Sequence, residues 1–210
     1  MFDVFENYLN DYGIFDYEDF DLIRSVSLCK KLNKKDYLLR EGDISRHKTF
    51  VCRGCLRSYR IDQDGAESIL NFAIERRWIN DEVCFHTGEQ SSTIIDALED
   101  SEVIQWSNEN FRKLLATVPA FNLFYRKHLE ETLNEKQRRI ISILSNNAQE
   151  RYEDFINNFP KLYNRIPLYM IASYLGMSRE TLSRARSTNQ YSRHQYNHES
   201  SLEQPISKVW

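Results

Sequence analysis

The segment with the most distinctive chemistry is a basic stretch at residues 178–186, Ser-Arg-Glu-Thr-Leu-Ser-Arg-Ala-Arg. On a helix, four of its side chains lie on neighbouring faces of the first two turns. An Arg can hydrogen-bond guanine through two donors and a Glu can accept from the amino group of cytosine, each pair giving about 1–3 kcal/mol of discrimination. We therefore predict that four residues contact DNA bases: Arg179, Glu180, Ser183 and Arg184.

Three more side chains of this segment suit contacts with the DNA backbone. Ser178 and Thr181 lie near the positive end of the predicted helix, where phosphate oxygens are favoured, and Arg186 adds a charge further along. Residues 161–186 carry five Lys or Arg and one Glu, a net charge of +4. The whole chain of 210 residues has 28 Lys or Arg and 31 Asp or Glu, a net charge of −3. A basic module is thus contained in an acidic chain.

The residues before this segment predict how it is held. Pro167 suits the first position of a helix, Gly176 suits a left-handed turn, and Ser178 suits the N-cap of a second helix. Ala172 is small enough for two crossing helices to approach closely. The pattern is typical of a helix-turn-helix, with a shared core of Ile171, Leu175 and Leu182. The alternative is a solvated surface helix in which Glu180 pairs with an Arg.

A long uninterrupted helix is predicted over residues 120–144, directly after Pro119. Its apolar residues recur at spacings of three, four and seven, and at 1.5 Å per residue it would be about 37 Å long. Such a helix needs a partner for its apolar stripe, and a second copy of the same helix would provide one. A shorter helix is predicted over residues 149–159, before Pro160.

The middle of the chain predicts an antiparallel β unit from about residue 35 to 106. Apolar residues alternate within residues 67–74, 93–98 and 102–106, as in strands with one buried face. Four of the six glycines fall in this part of the chain, where we expect hairpin turns with positive φ: Gly42, Gly54, Gly65 and Gly88.

Residues 1–28 are strongly acidic, with seven Asp or Glu and one Arg. A net charge of −6 is the opposite of the basic start of a signal peptide, and no run of about 18 apolar residues predicts a membrane helix. We therefore expect a cytoplasmic protein without a membrane partner. The aromatic residues of this segment, Phe2, Phe5, Tyr8, Tyr12, Phe15 and Phe20, are expected to pack on the β unit.

Several short motifs resemble the Crp/Fnr family of bacterial transcription regulators. Residues 40–43 (Arg-Glu-Gly-Asp), 50–54 (Phe-Val-Cys-Arg-Gly) and 62–67 (Asp-Gln-Asp-Gly-Ala-Glu) resemble successive turns and strands of its cyclic-nucleotide-binding-type β-roll. Residues 97–103 resemble the last strands of that domain. Residues 178–184 combine the Arg-Glu of the catabolite-activator branch with the Glu-x-x-Ser-Arg spacing of the Fnr branch.

This resemblance implies an α+β fold of four parts. These are an antiparallel, jelly-roll-like β-roll sensor domain over residues 1–118, a long dimerisation helix over 119–146, a helix-turn-helix domain over 147–186 and a polar tail over 187–210. The implied function is sequence-specific DNA binding by a homodimer joined through residues 120–144, with RNA polymerase as a further partner. By the same resemblance, Glu180 and Arg184 would contact a TGA-containing half-site, while Arg179 and Ser183 would tune its outer positions.

The sensor pocket implied by the resemblance departs from that of members that bind cyclic AMP. Asn80 and Asp81 replace a Gly-Glu pair that holds the ribose, and Ser91, followed by Ser92, stands where an Arg would pair with the cyclic phosphate. A buried phosphate without that Arg keeps its desolvation cost and loses a charge-assisted contact. The sequence therefore predicts no tight binding of cyclic AMP, no cofactor and an effector of unknown identity.

The cysteines and histidines do not form a convincing metal site. Cys52 and Cys55 flank Gly54 on the predicted hairpin and are expected to be core residues; the alternative is a redox switch. His194 and His198 are four residues apart in the polar tail, where chance explains the spacing. No metal and no enzymatic activity is predicted, because the sequence lacks the common nucleophile, phosphate-loop, dinucleotide and zinc-hydrolase motifs.

The tail after Arg186 is polar and lacks the basic extension that members of this family usually carry. Early termination of the recognition helix would remove backbone contacts. This leaves a second hypothesis open, in which the chain is a ligand-binding or protein-interaction module with lost or weakened DNA recognition.

Overall fold

The computed structural model describes residues 1–187. Contacts between Cα atoms divide the chain into two units, residues 1–137 and the part from residue 138 onward. The division falls inside a long helix, and each unit is described by itself. No helix in the described part of the chain combines the length and apolar character needed to cross a membrane.

Two four-stranded antiparallel sheets form the centre of the first unit. One has the order β1 (Leu28–Leu32), β8 (Ser101–Ser107), β3 (His47–Arg53), β6 (Arg77–Trp78). The other has the order β2 (Tyr37–Leu39), β7 (Ile94–Ala97), β4 (Leu56–Ile61), β5 (Glu67–Ala73). The predicted antiparallel β-roll is confirmed, although its first strand begins at Leu28 rather than near residue 35.

Five helices accompany these sheets. Their bounds are α1 (Phe2–Asn10), α2 (Tyr17–Ser25), α3 (Glu82–Thr87), α4 (Asn108–Thr117) and α5 (Pro119–Ser145). Asp16 caps α2 in a capping box with Asp19, and Ser107 caps α4 by accepting from the Asn110 N–H. These caps explain why helices begin where the strand pattern or a linker ends.

The expected left-handed glycines are found, but one of them has another role. Gly54 has φ +99° in the β3–β4 turn, and a Cβ there would lie 2.7 Å from the Cα of Ser101. Gly88, with φ +76°, does not join two strands as predicted; it is the C-cap of α3. Because the same left-handed conformation closes hairpins and ends helices, the sequence pattern could not separate the two.

Strand β5 does not keep the strict alternation expected for residues 67–74. Its pairing with β4 shifts register, so that Tyr59 faces Ile69 while Ser58 faces Asn71. The extra residue is Leu70, which is exposed while Ile69 and Phe72 are both buried. A β-bulge of this kind adds one residue to one strand and changes which side chains point inward.

The N-terminal aromatic residues pack against the β-roll, as predicted. Phe5 is fully buried, with its ring centroid 4.8 Å from Phe50, 5.7 Å from Trp78 and 4.7 Å from Trp106. Tyr8 extends the same cluster to Phe124 of α5. The acidic segment is therefore anchored by its aromatic face, while its carboxylates stay at the surface.

Helix α5 has 27 residues, and the predicted helix over 120–144 is confirmed. Its apolar residues divide into two groups. Phe121 and Phe124 are buried in the core of the first unit, whereas the later apolar residues are exposed. The exposed group, here called the α5 stripe, consists of Leu129, Leu133, Ile140, Ile141, Ile143 and Leu144.

The second unit is helical. Helix α6 (Ala148–Asn158) lies within one residue of the predicted 149–159 at each end and begins with a capping box between Asn147 and Glu150. Helix α7 (Leu168–Tyr174) follows Pro167, and residues 179–187, here called α8, are also helical. Buried side chains come from α6, α7, α8 and the segment between α6 and α7, among them Tyr152, Phe155, Leu162, Ile171 and Leu182.

Candidate nucleic-acid interface

The turn between α7 and α8 ends α7 in a regular way. Gly176 has φ +62°, its N–H donates to the carbonyl of Ser173, and the Met177 N–H donates to the carbonyl of Ala172. These two bonds form a Schellman motif, which satisfies carbonyls that the helix itself leaves over. The predicted left-handed turn at Gly176 is confirmed.

Two arginines outside the turn hold its remaining carbonyl groups. Arg139 of α5 donates from Nη2 to the Tyr174 carbonyl at 2.9 Å, and its guanidinium lies 3.9 Å from the Tyr174 ring centroid. Arg151 of α6 donates from Nη1 to the Leu175 carbonyl at 2.9 Å. Sequence analysis missed both residues, because a long-range contact to backbone carbonyls leaves no local pattern.

Helix α8 begins at its predicted cap. The Oγ of Ser178 accepts from the Thr181 N–H at 3.1 Å, and the two hydroxyl oxygens also lie 3.1 Å apart. Leu182 and Ala185 are buried, at 1% and 6% exposure. The four predicted base-contacting residues, Arg179, Glu180, Ser183 and Arg184, are all exposed. One face of α8 is therefore buried in the second unit, and the opposite face is exposed to solvent.

The exposed face of α8 carries both positively and negatively charged side chains. Hydrogen bonds from its own backbone N–H and from Ser178 lower the pKa of the Glu180 carboxyl, with a further contribution from Arg179 and Arg184. Glu180 is therefore an ionised acceptor. Arg179 lies 5.0 Å from the ring centroid of Tyr169, and Arg186 lies 5.5 Å from that of Tyr163. These rings limit where the two guanidinium groups can point.

The side chains of the predicted effector pocket form hydrogen bonds with other groups of the same chain. The Asn80 side chain accepts from the Thr49 N–H at 2.7 Å, and the Asp81 carboxylate accepts from the Cys84 N–H and from the Ser91 hydroxyl. Burial raises the pKa of Asp81, but these hydrogen bonds outweigh it and lower the pKa. Ser92 is exposed. The structure thus joins Asp81 to Ser91 and leaves Ser92 apart.

An ion pair between a buried lysine and a half-buried glutamate, which sequence analysis did not predict, lies beside these residues. Lys48 of β3, at 1% exposure, pairs with Glu82 of α3. Its ammonium lies 5.0 Å from the ring centroid of Phe85, 5.4 Å from Tyr125 and 5.8 Å from Phe111. Burial lowers the pKa of Lys48 and Glu82 opposes that shift. The ion pair links helix α3 to strand β3. The Lys48 ammonium on β3 also contacts α5 through the Tyr125 ring.

The cysteines at the β3–β4 turn are core residues, as predicted. Cys52 is 4% exposed and Cys55 is fully buried, and burial raises the pKa of the Cys52 thiol to about 12. Because the thiolate is the reactive form, this environment does not favour a redox switch. Within the described residues no three His, Cys, Asp or Glu side chains are grouped as metal ligands. His194 and His198 lie outside the described residues.

Comparison with known proteins agrees with this architecture. A family model described as "Cyclic nucleotide-binding domain" matches residues 29–118. The fumarate and nitrate reduction regulatory protein of Vibrio cholerae is 26% identical over 166 residues, which cover 74% of this chain and 66% of that protein. The transcriptional activator protein Anr of Pseudomonas protegens is 24% identical over 179 residues, covering 80% and 72%. The match to the Vibrio protein therefore spans slightly less than two thirds of its length.

Solved structures show the same fold. FixK2 from Bradyrhizobium japonicum aligns with a TM-score of 0.67 at 19% identity, covering 80% of this chain and 86% of that one. The c-di-GMP-responsive global regulator CLP of Xanthomonas campestris aligns with a TM-score of 0.66 at 16% identity, covering 84% and 93%. The β-roll, the long helix and the helix-turn-helix occur here in the order expected from the sequence, and the chain is similar in sequence and fold to transcription regulators of the Crp/Fnr type.

Proposed function

We propose that this chain is a sequence-specific DNA-binding transcription regulator that acts as a homodimer. The observation that carries this proposal is the division of α8 into two faces. Leu182 and Ala185 are buried, and the side chains with base-pairing chemistry are exposed. The Schellman turn, the Ser178 N-cap and the hydrogen bonds from Arg139 and Arg151 hold this helix so that its charged face is exposed.

The roles of the exposed residues follow from their chemistry. Arg184 would donate to guanine in the major groove, and the ionised Glu180 would accept from cytosine. Arg179 and Ser183 would contact flanking positions. Ser178, Thr181 and Arg186 would contact phosphates, which position the helix without selecting a sequence.

The α5 stripe supports a second copy of the chain as partner. Leu133 is 66% exposed and Ile140 is 59% exposed, and they are seven residues apart. Together with Leu129 and Ile143 they form positions a and d of a heptad pattern, which is the seam of a two-helix coiled coil. A two-fold dimer would place two α8 helices in successive major grooves, about 34 Å apart. RNA polymerase remains a predicted partner, and the cytoplasm the predicted location.

The β-roll would act as the sensor of this regulator, with an effector other than cyclic AMP. Support comes from the pocket residues, because Ser91 is bonded to Asp81 and no Arg occupies its position. A cyclic phosphate placed there would meet a carboxylate instead of a guanidinium.

The proposal is tested by selecting bound fragments from random-sequence DNA with the full chain and with Arg184→Ala. We expect the chain to enrich a two-fold symmetric site, and Arg184→Ala to lose preference at one base pair of each half-site. The loss corresponds to about 1–3 kcal/mol, or roughly 5- to 150-fold, with weaker salt-sensitive binding retained. Lys161→Ala is the matched control, because it removes an exposed charge of the same unit and should leave the selected sequence unchanged.

If Arg184→Ala and the unchanged chain select the same sequences with equal affinity, the role given to Arg184 is wrong. If the unchanged chain shows no salt-dependent mobility shift on any DNA, the alternative hypothesis of a ligand-binding or protein-interaction module is favoured. The net charge of −3 is the observation that keeps this alternative in view.

A further inference from the structure

A small cleft opens between the two sheets of the β-roll. It is lined by residues of both sheets, including Leu39 of β2, Thr49 of β3, Ile95 of β7 and Gln105 of β8. Its volume is about 70 Å³. An apolar cavity of ~150 Å³ is enough for benzene, so this cleft accommodates a molecule of only a few heavy atoms.

One part of the lining is apolar. Side chains from strands, the β2–β3 loop and the segment after β6 contribute to it, namely Leu38, Leu39, Ile44, Ile79 and Ile95. An alkyl group placed against these residues would leave water, at about 25 cal/mol per Å² of buried apolar surface. Inorganic phosphate has no such group and would gain nothing from this wall.

The other part of the lining is polar and held in place. Thr49 and Gln105 are 2% and 6% exposed, and the Gln105 amide donates to the Thr49 hydroxyl at 3.1 Å. The backbone N–H of Thr49 is used by Asn80. Burying a polar side chain costs free energy unless the side chain is hydrogen-bonded. Thr49 and Gln105 bond to each other and both line the cleft.

One cationic residue and one histidine, Arg46 and His47, are among the residues that line the cleft. No Asp or Glu is among the described residues that do. Burial lowers the pKa of His47, and the nearby charges of Lys30 and Arg46 lower it further. A neutral imidazole still offers one N–H donor, and the guanidinium of Arg46 offers a fork that matches a carboxylate.

We propose that this cleft binds a small carboxylate with an alkyl chain of one or two carbons. The carboxylate would face Arg46 and His47, and the alkyl chain would contact the isoleucine and leucine wall. This inference depends on the proposed function only where it identifies the carboxylate as the effector of the regulator. The binding itself is a property of the β-roll and does not require DNA.

The test is a titration of the full chain, labelled at the isoleucine methyl groups, with sodium propionate at constant ionic strength, followed by NMR. We expect saturable shifts at Ile44, Ile79 and Ile95 with a Kd below about 1 mM, and none at the remote Ile14. Propionamide has the same shape without the charge and should bind at least tenfold more weakly. Arg46→Ala should weaken propionate binding about tenfold, and Arg112→Ala, an exposed α4 control outside the lining, should not.

The proposal is overturned by any of three results: no saturable shift, equal binding of propionamide, or shifts spread over isoleucines outside the cleft. It is likewise overturned if Arg46→Ala and Arg112→Ala bind propionate alike. Failure of the proposed function would appear separately, as absent DNA binding with or without propionate. DNA binding without propionate binding would refute only the identity of the effector.

Discussion

At the scale of single residues, several polar side chains of the first unit are buried among aromatic rings. Lys48 and Glu82 form their ion pair among aromatic rings, and their charges act on His128 of α5. His128 also contacts Tyr8 of α1, with 3.4 Å between Nδ1 and the hydroxyl oxygen. A buried polar group is stable here because several elements supply its partners at once.

The burial of His128 predicts a dependence of stability on pH. Burial, followed by the charge of Lys48, lowers its pKa from 6.5 to about 4. Between these values the unfolded chain binds a proton that the folded chain does not, so stability falls as pH decreases through this window. The loss is about 3 kcal/mol, since one pKa unit corresponds to ~1.4 kcal/mol. Urea unfolding of the full chain at several pH values between 4 and 6.5 measures it.

His128→Gln separates this effect from other titrating groups. The variant lacks the ring contacts and is expected to be less stable at neutral pH, but its stability should decline less steeply between pH 6.5 and 4. An unchanged slope in His128→Gln would show that other groups cause the acid sensitivity.

At the scale of elements, the helix-turn-helix depends on contacts from outside its own sequence. Arg139 and Arg151 come from α5 and α6, yet both donate to carbonyls at the end of α7. Because these carbonyls lie directly before α8, the arginines set the direction in which α8 leaves the turn. Within the second unit, α5 and α8 are thus connected through backbone carbonyl groups of the turn.

Gly176→Ala tests how much the turn itself contributes. At φ +62° an L-residue costs about 1–2 kcal/mol, and the Schellman turn cannot relax without releasing its two hydrogen bonds. We expect the second unit to lose that amount of stability and DNA affinity to fall. Thermal unfolding and a mobility shift measure the two effects.

Gly13→Ala is the control for this substitution. Gly13 has no atom within 4 Å of an added Cβ and no positive φ, so its replacement should leave both measurements unchanged. Equal stability of Gly176→Ala and Gly13→Ala would contradict the importance of the left-handed turn.

At the scale of the whole molecule, the α5 stripe predicts the oligomeric state. All six apolar side chains of the stripe are exposed, with Leu144 reaching 80%. We expect Leu133→Glu with Ile140→Glu to convert a dimer to a monomer, because facing carboxylates would repel in an apolar seam. Light scattering coupled to size-exclusion chromatography measures the mass.

Lys127→Gln is the matched control on the same helix. It changes one exposed charge outside the stripe and should leave the dimer intact. A monomeric unchanged chain, or a dimeric Leu133→Glu, Ile140→Glu variant, would contradict association through the stripe. A dimer of the variant would direct attention to another surface.

The sequence by itself determined the features that depend on local patterns. Strand alternation, helical periodicity and the placement of Gly176 and Ser178 predicted the β-roll, the long helix and the helix-turn-helix, because each pattern fixes the local backbone and which face is buried. The exposure of Arg179, Glu180, Ser183 and Arg184 followed from the same periodicity once Leu182 was placed in the core.

Only the tertiary structure decided the features that join distant parts of the chain. Four features depend on partners that local patterns do not reveal. They are the role of Gly88, the bulge at Leu70, the Lys48–Glu82 pair and the hydrogen bonds of Arg139 and Arg151 to the turn. The cleft between the sheets depends on strands separated by more than sixty residues. Such contacts arise when the sheets close on each other, and their chemistry is then set by side chains that the sequence shows only as isolated polar residues.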